Sequence, residues 1–233
     1  MTTINGVPIN FDESWDTGIG GGLWTTGRAM GRYFDQNVSA VIANIESLVQ
    51  VKGGRLAAIE LGAGNGFLSV CLMALLQGHQ HLVEVLNVTD LSDHLGLITK
   101  TFLANSHVWS KLKVLAPDHG KEEIYEGNLE GSTTVQVQAH EWGTTDGSEK
   151  KYDFIFGTDL AYRNSLHQPL IESLLEFSHK NTVILIGVTM SDTQPRFFDL
   201  LTKSGFRYEK LSDHLLDPEF RGRNFGIIAI QKR

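Results

Sequence analysis

The sequence predicts an α/β domain built on a mostly parallel sheet of seven strands, with an antiparallel hairpin at its C-terminal end and helices on both faces. Short apolar runs recur along the chain, helical patterns separate most of them, and the last two runs break that alternation. A chain of 233 residues suits one generous domain, and a domain of that size removes about 70 % of its unfolded-chain surface from water. It needs no staples, and it has none to offer. Its one cysteine, Cys71, can form neither an internal bridge nor a zinc cage, and the close pair His79 and His81 lacks partners at metal-ligand spacing.

The first 20 or so residues are polar and contain Gly20-Gly21-Gly22, which predicts a mobile lead-in. Trp24 to Asp35 and Val38 to Val49 read as helices. In the second, Val38, Val41, Ile42, Ile45, Leu48 and Val49 keep helical spacing on one face. Residues 1–52 are thus expected to form an N-terminal segment whose helices pack on a domain of residues 53–233. Leu56 to Leu61 opens that domain as a buried parallel strand. Further apolar runs follow at Val83 to Thr89, Thr134 to Ala139, Tyr152 to Gly157, Thr182 to Val188, Phe206 to Leu211 and Phe225 to Ile230. Between them, helices are predicted at Phe67 to Leu76, Leu91 to Asn105, Pro169 to Phe177 and Pro195 to Lys203. The last two begin with proline, which suits a first helical turn. Strands six and seven are expected to pair as an antiparallel edge. The polar stretches Lys113 to Thr133 and Ser212 to Asn224 are long for connections and read as binding loops.

Charge narrows the partners. The chain carries 27 acidic and 20 basic residues, a formal net charge of -7. It has no Lys/Arg run able to neutralise a row of phosphates, so nucleic acid is an unlikely partner. No stretch approaches about 18 uninterrupted apolar residues, and the first residues lack a basic, then apolar, leader pattern. A cytoplasmic protein is expected, with the nucleus left open, and no membrane partner.

The most informative stretch is Ile59-Glu60-Leu61-Gly62-Ala63-Gly64-Asn65-Gly66-Phe67, where a strand runs into glycines and then a helix. In an open α/β sheet, ligands sit beyond the carboxyl ends of the strands, where glycines let the backbone come close. A simple tight turn is the plain alternative. The dinucleotide fingerprint places its third glycine where this chain has Phe67, and Glu60 would repel a pyrophosphate. S-adenosylmethionine, with a sulfonium and an ammonium against one carboxylate, suits Glu60 better. Asp90 ends the second strand and can accept both ribose hydroxyls, a role that would serve NAD equally; its bland alternative is a helix cap. After the third strand, Glu141 and Trp142 could meet an adenine, Trp142 by stacking and Glu141 by accepting from the amino group, unless Trp142 is core. The fourth strand delivers Asp159 to its carboxyl end, with Tyr162 three residues on. A carboxylate and a phenol there could orient a nucleophilic amine; a cap and a surface Tyr are the alternative.

These residues resemble the seven-β-strand, non-SET protein-lysine methyltransferases, the group that includes the valosin-containing-protein lysine methyltransferase. The shared parts are Glu60-Leu61-Gly62-Ala63-Gly64-Asn65-Gly66, Thr89-Asp90, Asn105, Glu141-Trp142-Gly143 and the D-x-x-Y signature, Asp159-Leu160-Ala161-Tyr162. The resemblance implies a Rossmann-like class I methyltransferase sandwich with strand order 3-2-1-4-5-7-6. It implies that Trp24, Glu60, Gly62, Ala63, Gly64, Asn65, Gly66, Asp90, Leu91, Glu141, Trp142 and Thr158 contact S-adenosylmethionine, and that Asp159 and Tyr162 lie at the methyl-transfer centre. The acceptor would be a lysine of a protein partner such as a chaperone or translation factor, with no metal required. Methylation of a histidine side chain, a small molecule or RNA, a non-catalytic cofactor-binding adaptor, and an NAD-dependent oxidoreductase are the rival readings. The chain departs from the group in a longer segment before Asp90, around Gln77 to His81. It also lacks a basic residue after the fifth strand and has an enlarged stretch from Lys113 to Thr133.

Overall fold

The computed structural model describes residues 2–115, 121–145 and 149–233. The chain opens not as a loose lead-in but as a hairpin, β1 (Thr2–Ile4) and β2 (Val7–Ile9). Its two-residue turn is Asn5-Gly6, both with positive φ (51° and 75°), the backbone that matches the twist of paired strands. Ile4 and Ile9 are buried, so apolar anchors hold down a segment whose average polarity suggested freedom. A 3-10 segment, Trp15–Gly21, then leads into α1 (Thr25–Gln36) and α2 (Val38–Lys52).

The chain continues with β3 (Leu56–Leu61), α3 (Phe67–Leu75), β4 (Val83–Asp90) and α4 (Leu95–Leu103). All nine residues of α3, Cys71 included, are buried, as expected of a helix that is apolar on every side. It packs beside α1, and the approach is close at Gly31: a Cβ there would meet the Phe67 ring at 3.1 Å. The helix expected from Leu91 is shorter, because Ser92–His94 forms a separate 3-10 turn.

Two further strands were not anticipated. β5 (Lys111–Leu115), which starts just before the stretch that read as a loop, and β6 (Glu122–Glu126), inside it, pair antiparallel. β7 (Thr134–Ala139) and β8 (Tyr152–Thr158) follow. The next helix, α5 (Asn164–Phe177), begins five residues earlier than its proline suggested, and Pro169 sits inside it. β9 (Ser178–Thr189), α6 (Pro195–Lys203), β10 (Phe206–Lys210) and β11 (Phe225–Lys232) complete the chain. In α6 the proline does occupy the first turn.

The main sheet has nine strands in the order β10-β11-β9-β8-β3-β4-β7-β5-β6. Without the β5–β6 extension this is the expected order 3-2-1-4-5-7-6. β3 pairs in parallel with both β4 and β8, so the order reverses between β3 and β8. The expected antiparallel edge is present, with β11 against β9 and β10 against β11. One apolar cluster gathers Ile4, Phe34, Val41, Cys71, Phe102 and Trp109, from the side of α1 to α4. The other gathers Ile59, Ile155, Leu170, Phe197 and Ile228, from the side of α5 and α6. Among the described residues, no helix is long and apolar enough to cross a membrane.

Candidate active site

The carboxyl ends of β3, β4, β8 and β9 meet where the strand order reverses, the position at which open α/β sheets bind ligands. β3 ends there in the glycine loop. Gly62, Gly64 and Gly66 all have left-handed φ (60°, 57° and 77°), which an L side chain adopts only with strain. Space is also short. A Cβ on Gly62 would stand 2.8 Å from Leu160 and 2.9 Å from Trp142, and one on Gly64 would stand 2.4 Å from the Gly20 carbonyl. The Ala63 amide donates to Thr89 O and the Gly66 amide to Ala63 O (3.0 and 2.8 Å), fixing the loop to the end of β4. Asn65 is buried and used locally, its Oδ1 accepting from the Phe67 amide and its Nδ2 donating to Asp12 O.

Asp90 stands beside this loop. One of its oxygens accepts from the Gly64 amide and the other from the Leu91 amide, each at 2.7 Å. Burial raises its pKa, while the nearby His94 and the two amides oppose that rise. His94 Nδ1 lies 3.5 Å from Asp90 and 2.8 Å from Asp93, and its Nε2 is buried without a hydrogen-bond partner among the described residues. The Trp15–Gly21 segment lies over both, since a Cβ on Gly20 would stand 2.5 Å from His94 Nε2. Trp24 belongs to this cover. Its Nε1 donates to Ile19 O at 2.8 Å, and its ring meets Trp15 edge-on.

Glu60 is the penultimate residue of β3. It is buried and accepts from the Ser69 hydroxyl, and burial pushes its pKa up to about 8.

A second group of side chains surrounds Asp159, at the end of β8. Asp159 is half-buried and has φ 54°, and its amide donates to Gly187 O at 2.8 Å. Thr26 Oγ1 donates to its Oδ2, and Thr189 Oγ1 donates to its Oδ1 at 3.1 Å. Burial pushes this carboxyl up to about 6, against the Thr189 hydrogen bond and with a smaller upward push from Asp192. Thr158 packs on Gly187 and faces Gly27 of α1. Leu160 touches both Gly62 and Gly157, so the D-x-x-Y turn and the glycine loop are in contact. His167 Nε2 braces that turn from below, 3.0 Å from Ala161 O.

The structure therefore brings Gly62, Ala63, Gly64, Gly66, Asp90 and Trp142 into one neighbourhood, with Asp159 and Thr158 across Leu160. Leu91 and Glu141 are exposed at the rim. Tyr162 is exposed too, with the Arg163 guanidinium 5.2 Å from its ring centre. Trp142 packs partly against the second apolar cluster, so core packing and site lining coincide in it. Asn105 is fully buried and ties Asn10 O to Thr101 O through its amide, a structural role. Thr26, Thr189, Gly20, His94 and Leu160 were given no site role from the sequence. His94, four residues beyond Asp90, could have been found by helical spacing; the others come together only in the folded chain.

An amino-acid nucleoside fits these residues. Glycine-only backbone in left-handed conformation forms the cradle, a carboxylate stands at the end of the second expected strand, and an unpartnered buried imidazole nitrogen lies next to it. Several solved structures share the architecture. They include a TehB-like SAM-dependent methyltransferase from Corynebacterium glutamicum, 13% identical with a TM-score of 0.50 over 81% of this chain and 87% of that one. The YcgJ protein from Bacillus subtilis matches at 8% identity and TM-score 0.50, covering 81% and 97% of the two chains. The CurJ carbon methyltransferase matches at 13% and 0.51, covering 77% of this chain and 49% of that one. The class defined here is that of the Rossmann-like, S-adenosylmethionine-dependent methyltransferases. Within it, the chain belongs to a family described as lysine methyltransferase, whose model matches residues 4–119 and 110–204.

Proposed function

We propose that this methyltransferase modifies the side-chain amine of a lysine in a protein partner, and that Asp159 is the residue that receives that amine. The observation that carries the reading is the setting of Asp159: a carboxylate at a strand end, half-shielded from water, touching the glycine-loop side of the site through Leu160. The family match supports lysine as the acceptor.

The cofactor, when bound, supplies a methyl group on a positively charged sulfur. In this reading the Gly62 to Gly66 backbone, with Ala63 and Asn65, forms its cradle, and Asp90 takes the ribose. Trp142, Leu91 and Glu141 border the base, and Trp24 and Thr158 close the remaining sides. Glu60 acts from beneath, by holding Ser69 and the start of α3.

A lysine amine attacks only when neutral, and its reference pKa of about 10.4 has to be overcome by desolvation and placement. Asp159 is too weak a base to take the proton outright. Its carboxylate instead accepts an N–H of the amine through lone pairs that Thr26 and Thr189 leave free, aiming the nitrogen's own lone pair at the methyl carbon. The departing proton goes to solvent past the exposed Tyr162 phenol, which lines the entrance. Placement of this kind supplies on the order of 7 kcal/mol or more of barrier reduction.

The test is incubation of the protein with tritiated S-adenosylmethionine and a cell extract, followed by mass spectrometry of labelled peptides. Label on lysine is expected, and Asp159→Asn should lower it by about 100-fold while S-adenosylhomocysteine binding changes little. Asn is the fair substitute because it tolerates left-handed backbone. Label confined to RNA, small molecules or histidine would overturn the reading.

A further inference from the structure

Asp159 is held from two directions by elements that are far apart in the chain. Thr26 lies in the first turn of α1 and is buried, and its hydroxyl donates to Oδ2. Thr189 is the last residue of β9, and its hydroxyl donates to Oδ1. Each carboxylate oxygen thus has one hydroxyl donor, the Thr189 backbone amide adds a further donor from β9, and the Asp159 amide is anchored to β9 through Gly187. A carboxylate on left-handed backbone with a free χ1 would sample several directions; two hydroxyls on opposite oxygens leave it one. The charged group acting on it from the β9 side is Asp192. Arg28 and Arg32 of α1 form no ion pair with it, and Arg163 stacks on Tyr162.

We propose that Thr26 and Thr189 are positioning residues for methyl transfer, fixing the Asp159 carboxylate in the orientation that receives the acceptor amine. This rests on the reading of Asp159 given above. Thr26 also sits two residues beyond Trp24, where the segment covering the glycine loop passes into α1. One helix start therefore serves the cofactor cover and the acceptor carboxylate together.

The hydroxyls have a direction. An ionised carboxylate can only accept, so both threonines donate; a protonated one presents an O–H, and one threonine has to turn round and accept. Removing a hydroxyl should thus favour the protonated form and move the acidic limb of the rate profile to higher pH.

The experiment measures kcat and acceptor KM against pH for wild type, Thr26→Val, Thr26→Ser, Thr189→Val and Asp159→Asn, with calorimetric binding of S-adenosylhomocysteine to each. Thr26→Val is expected to lower kcat about ten-fold, the size of one hydrogen bond to a charged group. Acceptor KM and S-adenosylhomocysteine affinity should stay within about two-fold, and the acidic limb should move upward. Thr26→Ser should restore both kcat and the limb. If Thr26→Val does not fold, Thr189→Val carries the same comparison. An inactive Asp159→Asn beside a valine variant with wild-type kcat and an unmoved limb would overturn the positioning role. So would lost stability and affinity with no movement of the limb. A fully active Asp159→Asn would instead overturn the reading of Asp159 itself.

Discussion

Single residues show where reasoning from the chain alone succeeds and where it stops. The glycines at positions 62, 64 and 66 were legible because their chemistry is local: left-handed φ and lack of room are properties of the loop itself. Glu60 was legible as a residue but its burial was not, because only the folded protein shows that it is sealed from water beside Ser69. That sealing has a consequence for stability. An acid whose pKa is higher in the folded protein than in the unfolded chain binds its proton more tightly when folded. Its contribution is full below the unfolded value of 4.5 and is lost as pH rises through about 8. The scale is on the order of 1.4 kcal/mol for each pKa unit. Urea unfolding of wild type should therefore show falling stability from about pH 5 to about pH 9, and Glu60→Gln should flatten that decline. Parallel curves for the two proteins would show that Glu60 is not the source. Thr26 and Thr189 lay beyond reach altogether, since nothing near either residue announces a contact 133 or 30 positions away.

Elements were legible wherever burial imposed a pattern. β3, β8 and the second half of β9 carry apolar runs because both their faces are covered, while β7 alternates buried Val135 and Val137 with half-buried Gln136 and Gln138. β6 is mostly exposed and carries Glu122, Glu123 and Glu126, so no apolar pattern marks it. β5 does alternate, with Leu112 and Val114 inward and Lys111 and Lys113 outward, but five residues are too few to stand out beside a polar stretch. The Asn5-Gly6 turn was a readable hairpin signal masked by the polarity around it. Pro169 misled because a proline tolerated inside a helix looks the same in sequence as one that starts it. At the opposite end of the strands from the site, Asp153 joins three elements. It accepts from Lys52 Nζ of α2 and from the Ala57 amide of β3, each at 2.8 Å, and lies 3.2 Å from His179 Nε2 of β9. Asp153→Ala should cost about 1 to 3 kcal/mol, because it leaves the part-buried Ala57 amide without its acceptor. A loss below about 0.5 kcal/mol in urea unfolding would mean that these elements dock without it.

At the scale of the molecule, the order of the strands came from likeness and not from pattern, since a parallel strand reads the same wherever it lies in a sheet. The β5–β6 pair adds two strands beyond β7 and moves that sheet edge away from the switch point, leaving the ligand-binding end of the domain unaltered. Cys71 belongs to this scale too. It lies in the middle of α3, fully buried, and its thiol is pushed upward by burial, with further upward pushes from Glu60 and Asp35. A thiol so placed is both shielded and protonated, and a disulfide reagent can modify it only when the core opens. The chain therefore carries its own reporter, one silent sulfur in the native state. Labelling by a chromogenic reagent should proceed at the pace of unfolding and slow in the presence of S-adenosylhomocysteine, whereas instant reaction of the native protein would show that the helix under the cradle breathes freely.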